Sequence, residues 1–284
     1  MNSKIRIIPR LDIKGPNLVK GIHLEGLRVL GKPEYFAEYY YKNGADELFF
    51  QDSVASLYDR NSLHDIISKT AKKIFIPLTV GGGLRTIDDI RNVLRAGADK
   101  VCINTAAIKD PNLIKEASSR FGSSTIVIGI EAIKERDGRY LAYTDNGREY
   151  TGIDVVEWSK KVQDLGAGEI VITSVDKEGT GEGFDLELTG LVGKAVEIPV
   201  IAHGGCGSPK DVVDVVSLPG VDAACIASVL HYDFVSKEAL SGAYEEEGNV
   251  SFLKSGRGFG KIKPCTIEDI KAALKSQNIP VRYK

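Results

Sequence analysis

Short apolar runs rich in β-branched residues alternate with amphipathic helical segments along almost the whole chain. Apolar residues recur at helical spacing in segments such as 33–44 and 86–97. The other runs are short and apolar throughout, which is typical of strands buried on both faces of a parallel sheet. Eight strands are predicted, at 5–12, 47–52, 76–82, 100–105, 125–131, 169–175, 198–204 and 223–228. Strand–helix units in this order predict an all-parallel α/β architecture.

The second half of the chain repeats the first. Segment 76–108 (IPLTVGGGLRTIDDIRNVLRAGADKVCINTAAI) is echoed by 198–230 (IPVIAHGGCGSPKDVVDVVSLPGVDAACIASVL), and IIPRLDIK from Ile7 is echoed by VIGIEAIK from Val127, all at an offset of about 120 residues. Two duplicated halves of four strand–helix units predict a closed (β/α)8 TIM barrel. A doubly wound open sheet is the alternative, but its Gly-rich turn would follow the first strand, where this chain has KGPNLVKG.

We expect a single barrel over residues 1–284 with two irregular stretches. The loop 21–34 is long and contains glycine and both signs of charge, and such loops after barrel strands often act as lids. Stretch 241–264 is rich in glycine and lysine and weakly periodic, which predicts an inserted surface excursion. A capped helix is predicted to begin at Thr266, with Asp269 three residues later as in a capping box.

Composition excludes several classes of protein. A net charge of −2 argues against a nucleic-acid footprint, and no apolar run or leader predicts a membrane helix or a signal peptide. The four cysteines form no CxxC pair, which indicates reduced thiols in a cytoplasmic protein. His203 and His231 stand alone without ligand spacing, so we expect neither a metal site nor a cofactor.

Small residues recur in register at the predicted strand ends, where barrels of this kind hold their sites. Glycine there lets backbone N–H groups approach an anion, so each half predicts a phosphate cradle. The first cradle would comprise Gly82, Gly83, Asn104 and Thr105, and the second Gly179, Gly204, Gly205, Ala227 and Ser228. Thr173 and Ser174 end the sixth strand and join the candidates for substrate binding. Two cradles suggest a substrate with a phosphate at each end.

Each half also has one acid at the end of its first strand, Asp12 and Glu131. Two carboxylates facing one pocket repel, so one can act as a general base and the other as a general acid. The plainer alternative is that one of them merely pairs with a cation. Arg10 lies two residues before Asp12 and should point to the same face, so it could neutralise either acid.

A second set of charges should lie at the opposite, closed end of the barrel. Strand alternation turns four charged residues inward near the strand starts: Arg6, Glu47, Lys100 and Glu169. Two cations and two anions there predict a ring of ion pairs. The ring could be a structural plug that satisfies buried charge, or a gate on the only axial route through the barrel.

These residues stand in motifs that resemble the HisF family, the cyclase subunits of imidazole glycerol phosphate synthase. The similarity runs from about residue 5 to 232 and resumes in the last helix; its motifs include RIIPRLDIK, GADELFFQD, TVGGG, GADKVCINTAA, GAGEIVITSVDKEGT and ASVLH. GADKVCINTAA and GAGEIVITSVDKEGT are specific to the family, whereas TVGGG is shared with other phosphate-binding barrels.

The resemblance implies a heterodimer with a HisH-like glutaminase. Ammonia from glutamine would pass the ion-pair gate and attack a bis-phosphorylated aminoimidazole carboxamide ribonucleotide (PRFAR). The products would be imidazole glycerol phosphate and the aminoimidazole ribonucleotide AICAR. The family's paired acids correspond to Asp12 and Glu131, and its catalytic loop lysine to Lys20.

The chain also departs from the family. The second acid is aspartate there, and Glu131 is one methylene longer; a misplacement near 1 Å can cost about a hundredfold in rate. Three further interior positions, Arg10, Gln51 and His203, hold larger or more polar residues than the family does. Two alternatives to the cyclase therefore stay open. One is a HisF-like paralogue that supplies ammonia for amidination of an activated or surface-polysaccharide sugar with a separate amidotransferase, and the other is a non-catalytic scaffold and ammonia conduit.

Overall fold

The computed structural model describes residues 4–53, 63–239 and 261–282. The strands are β1 (Arg6–Lys14), β2 (Asn17–Ile22), β3 (Glu25–Gly31), β4 (Leu48–Asp52), β5 (Leu78–Gly81), β6 (Lys100–Ile103), β7 (Ile126–Lys134), β8 (Tyr140–Thr144), β9 (Glu149–Asp154), β10 (Glu169–Ser174), β11 (Val200–His203) and β12 (Val221–Ile226). The helices are α1 (Pro33–Lys42), α2 (His64–Ala71), α3 (Ile87–Ala96), α4 (Thr105–Lys109), α5 (Asn112–Phe121), α6 (Val155–Asp164), α7 (Leu186–Ala195), α8 (Pro209–Val216), α9 (Ser228–Ala239) and α10 (Ile267–Ser276).

Eight strands pair in parallel and close into a ring. The order around the ring is β1, β4, β5, β6, β7, β10, β11 and β12. It closes where β12 pairs with β1, with Ile8 opposite Cys225. Helices follow the strands, so the predicted (β/α)8 TIM barrel is confirmed and the open-sheet alternative is wrong.

Strand β1 shows why the barrel strands are apolar on both faces. Ile7 and Leu11 point outward into the core between the strands and the helices. Ile8, from the opposite face, packs inside the barrel. Both faces of such a strand are covered by protein, so neither face requires polar residues. The apolar runs of the sequence follow from this architecture.

Two antiparallel hairpins extend the barrel at its C-terminal mouth. β2 and β3 follow β1, and β8 and β9 follow β7. These are equivalent places in the two halves, so the duplication includes the hairpins. We expected a long loop at 21–34, but half of that stretch is strand β3, because its backbone groups pair with β2 rather than with water.

The helix ends follow local sequence signals. Thr86 caps α3 and Thr266 caps α10, each in a capping box with the aspartate three residues on, as the sequence predicted for Thr266. Helix α10 is tied to the barrel by Lys271, whose Nζ lies 2.9 Å from Asp46 Oδ1. Of the predicted excursion 241–264, residues 241–260 lie outside the described residues.

Candidate functional site

A closed ring of ion pairs fills the N-terminal end of the barrel. Arg6 Nη1 lies 2.8 Å from Glu47 Oε1 and 2.9 Å from Glu169 Oε1. Lys100 Nζ lies 3.2 Å from Glu47 Oε2 and 3.1 Å from Glu169 Oε1. Burial opposes the charge on Arg6, but the two glutamates outweigh it and raise its pKa. Each of the four charges thus meets two opposite charges, as strand alternation predicted.

An apolar layer lies inside the barrel above this ring. Its side chains come from seven of the eight barrel strands and are almost fully buried: Ile8, Phe49, Cys102, Val127, Val171, Ile201, Ala223 and Cys225. The layer separates the charged ring from the polar groups at the mouth.

A cavity of about 250 Å³, called the main cavity below, opens at the mouth. Its floor is the apolar layer, through Phe49, Cys102 and Val171. Its walls include Gln51, Glu131, Thr173 and the complete first cradle, which is Gly82, Gly83, Asn104 and Thr105. The main cavity therefore brings together the predicted anion cradle, the carboxyl group of Glu131 and the apolar layer of the barrel.

Glycine is required at the first cradle for its backbone shape. Gly82 has φ 99°, in the left-handed region, and an added Cβ would lie 2.4 Å from the carbonyl oxygen of Asp52. Gly81 is close-packed as well, because its Cβ would meet Gln51 Oε1 at 2.5 Å. Gln51 therefore lies directly against the strand that ends in this cradle.

Glu131 stands in the cavity wall at the end of β7. Its Oε2 accepts a hydrogen bond of 2.9 Å from the backbone N–H of Gly147, in the turn between β8 and β9. Burial raises the pKa of Glu131 to about 7, although the bond from Gly147 and the charge of Arg10 favour the ionised form. A carboxyl group with this pKa exchanges protons readily at neutral pH.

Arg10 crosses the mouth between the two predicted catalytic acids. Its Nε donates to Asp12 Oδ1 at 2.8 Å, and its Cζ lies 5.4 Å from the centre of the Phe49 ring. The sequence left open which acid it pairs with, and that acid is Asp12. We expected Asp12 and Glu131 to face one pocket, but Glu131 lines the main cavity and Asp12 a separate recess of about 10 Å³, and Arg10 lines both.

His203 lies beside Arg10 at the barrel mouth. Its Nδ1 lies 3.4 Å from Arg10 Nη1 and 3.1 Å from Thr173 Oγ1, so it faces two groups that can donate. Burial and the charge of Arg10 lower the pKa of His203, which keeps the ring neutral. His231 is buried elsewhere, with its Nδ1 2.6 Å from the hydroxyl of Tyr40. Both histidines thus have hydrogen-bond partners within the barrel fold.

The second cradle is narrow. Gly179, Gly204, Gly205, Ala227 and Ser228 line one recess of about 10 Å³, so the structure does bring them together. Ser174 lies outside it: strand alternation turns its side chain the other way, where its Oγ lies 3.4 Å from Asp185 Oδ2. The cavities at the two cradles are thus unequal, although the sequences of the two halves are similar.

Lys20 is a buried residue of β2 and pairs with Glu178. Its Nζ contacts Glu178 Oε1 and lies 2.9 Å from the backbone oxygen of Gly21. The other oxygen of Glu178 accepts a 2.9 Å bond from the N–H of Leu24. Glu178 therefore binds both the predicted catalytic lysine on β2 and the turn of the same hairpin.

Sequence reasoning missed several residues around the mouth. The tip of the β8–β9 hairpin, Asp145 and Asn146, lines the main cavity, and Asn146 Nδ2 bonds the backbone oxygen of Ser53. Lys109 also lines that cavity. The internal repeat could have revealed the tip of the β8–β9 hairpin. This hairpin follows Glu131 just as the β2–β3 hairpin follows Asp12.

Two further properties follow from the described residues. Within 4–53, 63–239 and 261–282, no three or more histidine, cysteine or acidic side chains are grouped so as to hold a metal ion. Over the same ranges, no helix is both long and apolar enough to cross a membrane. All four cysteines are buried and free.

A closed barrel of eight parallel strands with glycine-rich strand ends and acids at its mouth defines a TIM-barrel protein, a class whose sites lie at this end of the barrel. A family profile described as histidine biosynthesis protein matches residues 6–236. The chain is 58% identical over 209 residues to "Imidazole glycerol phosphate synthase subunit HisF" of Legionella pneumophila, covering 74% of this chain and 99% of the relative.

Two relatives of the same name come from other microbes. The one from Methanocaldococcus jannaschii is 50% identical over 246 residues, covering 80% of this chain and 90% of its own. The one from Methanococcus maripaludis is 41% identical over 298 residues, covering 98% of both chains. The chain therefore belongs to the HisF family of histidine biosynthesis proteins.

Proposed function

We propose that the chain is the cyclase subunit of imidazole glycerol phosphate synthase. In this role it uses ammonia from a HisH-type glutaminase to convert PRFAR to imidazole glycerol phosphate and AICAR. The observation that supports this best is the 250 Å³ cavity, which places an anion cradle and Glu131 directly above the apolar layer of the barrel. All three relatives are named as HisF subunits of this enzyme.

Ammonia would travel along the barrel axis. It would enter at the ring of Arg6, Glu47, Lys100 and Glu169, which closes the N-terminal end. The apolar layer above favours neutral ammonia over ammonium, because burying a charge there is costly. The layer reaches the main cavity at Phe49, Cys102 and Val171, so ammonia would emerge beside Glu131.

Glu131 would move the protons of the reaction. With a pKa of about 7 it is present in both forms near neutral pH, so it can accept a proton from attacking ammonia and return it to a departing oxygen. Asp12 would act through its ion pair with Arg10, and Lys20, on β2, would act once its ion pair with Glu178 opens. The first cradle would hold one phosphate and the second cradle the other.

The glutaminase would dock on the N-terminal face of the barrel. That face contains the ion-pair ring, and it also presents Phe75, which is 81% exposed just before β5. The ring of Phe75 meets that of Tyr41 edge to face, with 6.1 Å between the ring centres. A large exposed aromatic residue near the channel entrance is the kind of anchor that protein interfaces use.

One observation favours a second candidate, ammonia-dependent amidination of a sugar amide together with a separate amidotransferase. Arg10 lines both the main cavity and the recess of Asp12, and its neighbour His203 lines the narrow second cradle. An acceptor with a phosphate at only one end would fit this arrangement without any movement, whereas PRFAR requires the second recess to widen.

The test uses the purified chain with excess ammonium salt at alkaline pH, so that no glutaminase is needed. PRFAR consumption is followed by ultraviolet absorbance for the wild type and for Glu131→Gln, with Glu149→Gln on exposed β9 as the matched control. Loss of kcat in Glu131→Gln alone supports the cyclase. Equal turnover in all three proteins would remove Glu131 from the mechanism, and no turnover in any of them favours the sugar acceptor.

A further inference from the structure

Arg10 divides the barrel mouth into spaces of very different size. It lines the 250 Å³ cavity with Glu131 and also the small recess that contains Asp12 and Lys20. Its neighbour His203 lines the third space, at the second cradle. A single buried guanidinium thus forms the boundary between the two acids of the site.

The guanidinium group of Arg10 has further N–H groups that can donate hydrogen bonds. Arginine has five N–H groups in a fixed plane. Nε uses its one hydrogen on Asp12, and Nη1 faces His203. Among the described residues Nη2 has no hydrogen-bond partner, and the side chain borders the main cavity. Asp12, the Phe49 ring and His203 hold the group in place, so a ligand would meet it already oriented.

We propose that Arg10 is a catalytic residue that donates a hydrogen bond from Nη2 to the carbonyl oxygen of the acceptor. The acceptor is a phosphorylated molecule with a ketone or amide carbonyl, whose phosphate occupies the first cradle. This inference rests on the proposed ammonia-dependent function, and it assigns Arg10 a role beyond its ion pair with Asp12.

For a ketone acceptor, the bonds and protons of the attack by ammonia are as follows. The nitrogen lone pair forms a C–N bond to the carbonyl carbon, and the C=O π pair moves onto the oxygen, where the cation of Arg10 stabilises it. Ionised Glu131 takes one proton from the new N–H₃⁺ group and delivers it to that oxygen. A second proton from the nitrogen follows the same path, and the oxygen leaves as water, which yields an imine.

The positions of the groups agree with this order of events. Ammonia would arrive from the floor at Phe49, Cys102 and Val171, below the carbonyl carbon. Glu131 and Arg10 line the same cavity. The positive charge of Arg10 interacts with the carboxyl group of Glu131 and opposes the rise in the pKa of Glu131 that burial causes. Asp12 lies behind the guanidinium and therefore serves as a positioning residue for it.

The test compares two ligands by calorimetry, so it does not depend on turnover. The ligand 5-phosphoribonate has a carboxylate that imitates the negative oxygen, and ribitol 5-phosphate lacks it. A hydrogen bond to a charged oxygen is about twice as strong as a neutral one. We expect the wild type to prefer the phosphoribonate at least about tenfold. The double variant Arg10→Gln with Asp12→Asn, which replaces the ion pair by an amide pair and avoids a buried lone carboxylate, should lose that preference.

Two controls separate this contact from other effects. Asp12→Asn alone keeps the donors of Arg10 and should keep most of the preference. Lys109→Ala, at the phosphate end of the cavity, should weaken both ligands equally. The proposal would be overturned if the double variant and the wild type had the same ratio of affinities for 5-phosphoribonate and ribitol 5-phosphate. PRFAR turnover with ammonium is measured in parallel: an inactive wild type counts against the cyclase, while the ligand ratio still decides the role of Arg10.

Discussion

Glu131 should make the stability of the protein depend on pH in a direction opposite to that of ordinary surface acids. Its folded pKa of about 7 exceeds the ordinary 4.5. The folded state therefore binds its proton more tightly than the unfolded state does. The stability that protonated Glu131 contributes is fully present below about pH 4.5, falls as the pH rises from about 4.5 to 7, and is absent above that range.

The size of the effect follows from the same two values. One pH unit is worth about 1.4 kcal/mol, so the ionisation of Glu131 costs at most about 3 kcal/mol. Glu131→Gln removes this cost. The free energy of unfolding of the variant, relative to the wild type, should therefore rise by roughly 2 kcal/mol between pH 5 and pH 8.

Urea unfolding followed by circular dichroism at both pH values measures this difference. Glu149→Gln, on the exposed strand β9, is the matched control and should show the same stability relative to wild type at both pH values. A difference between wild type and Glu131→Gln that stays constant from pH 5 to pH 8 would refute the argument from burial.

Three more changes test other parts of the structure. Arg6→Ala leaves two buried glutamates short of a cation and should lower the free energy of unfolding by about 3 kcal/mol, measured by urea unfolding. Gly205→Ala places a Cβ 2.1 Å from the carbonyl oxygen of Gly183 and should lower thermal stability far more than Gly26→Ala, where the added Cβ meets nothing within 4 Å. Phe75→Ser should leave ammonium-dependent turnover unchanged and weaken binding of the glutaminase at least about tenfold, measured by calorimetry.

The barrel was predictable because its strands must be apolar on both faces. All eight predicted strands are present, with shifts at their ends that have local causes. The third strand was predicted to begin at residue 76 but begins at Leu78, because Pro77 has no N–H to donate to a ladder. The hairpin strands were missed because they lie at the rim of the mouth, and a segment such as β9 (EYTGID) has no apolar run to reveal it.

The candidate site was predictable only in part. Strand alternation correctly turned Arg10 inward, and it also predicted the ring around Arg6. It could not decide between Asp12 and Glu131 as the partner of Arg10, because that choice depends on side-chain distances across the barrel. The sequence also could not predict that the cavities at the two cradles differ in volume, because similar glycine motifs stand at the strand ends of both halves.

The most direct test of the proposed function is to identify and count the products that the isolated chain makes from PRFAR and an ammonium salt. We predict one imidazole glycerol phosphate and one AICAR for each PRFAR consumed, separated by chromatography. The absence of both products, from a folded protein that still binds ribitol 5-phosphate at the first cradle, would contradict the cyclase and leave the sugar-amide acceptor as the function to test.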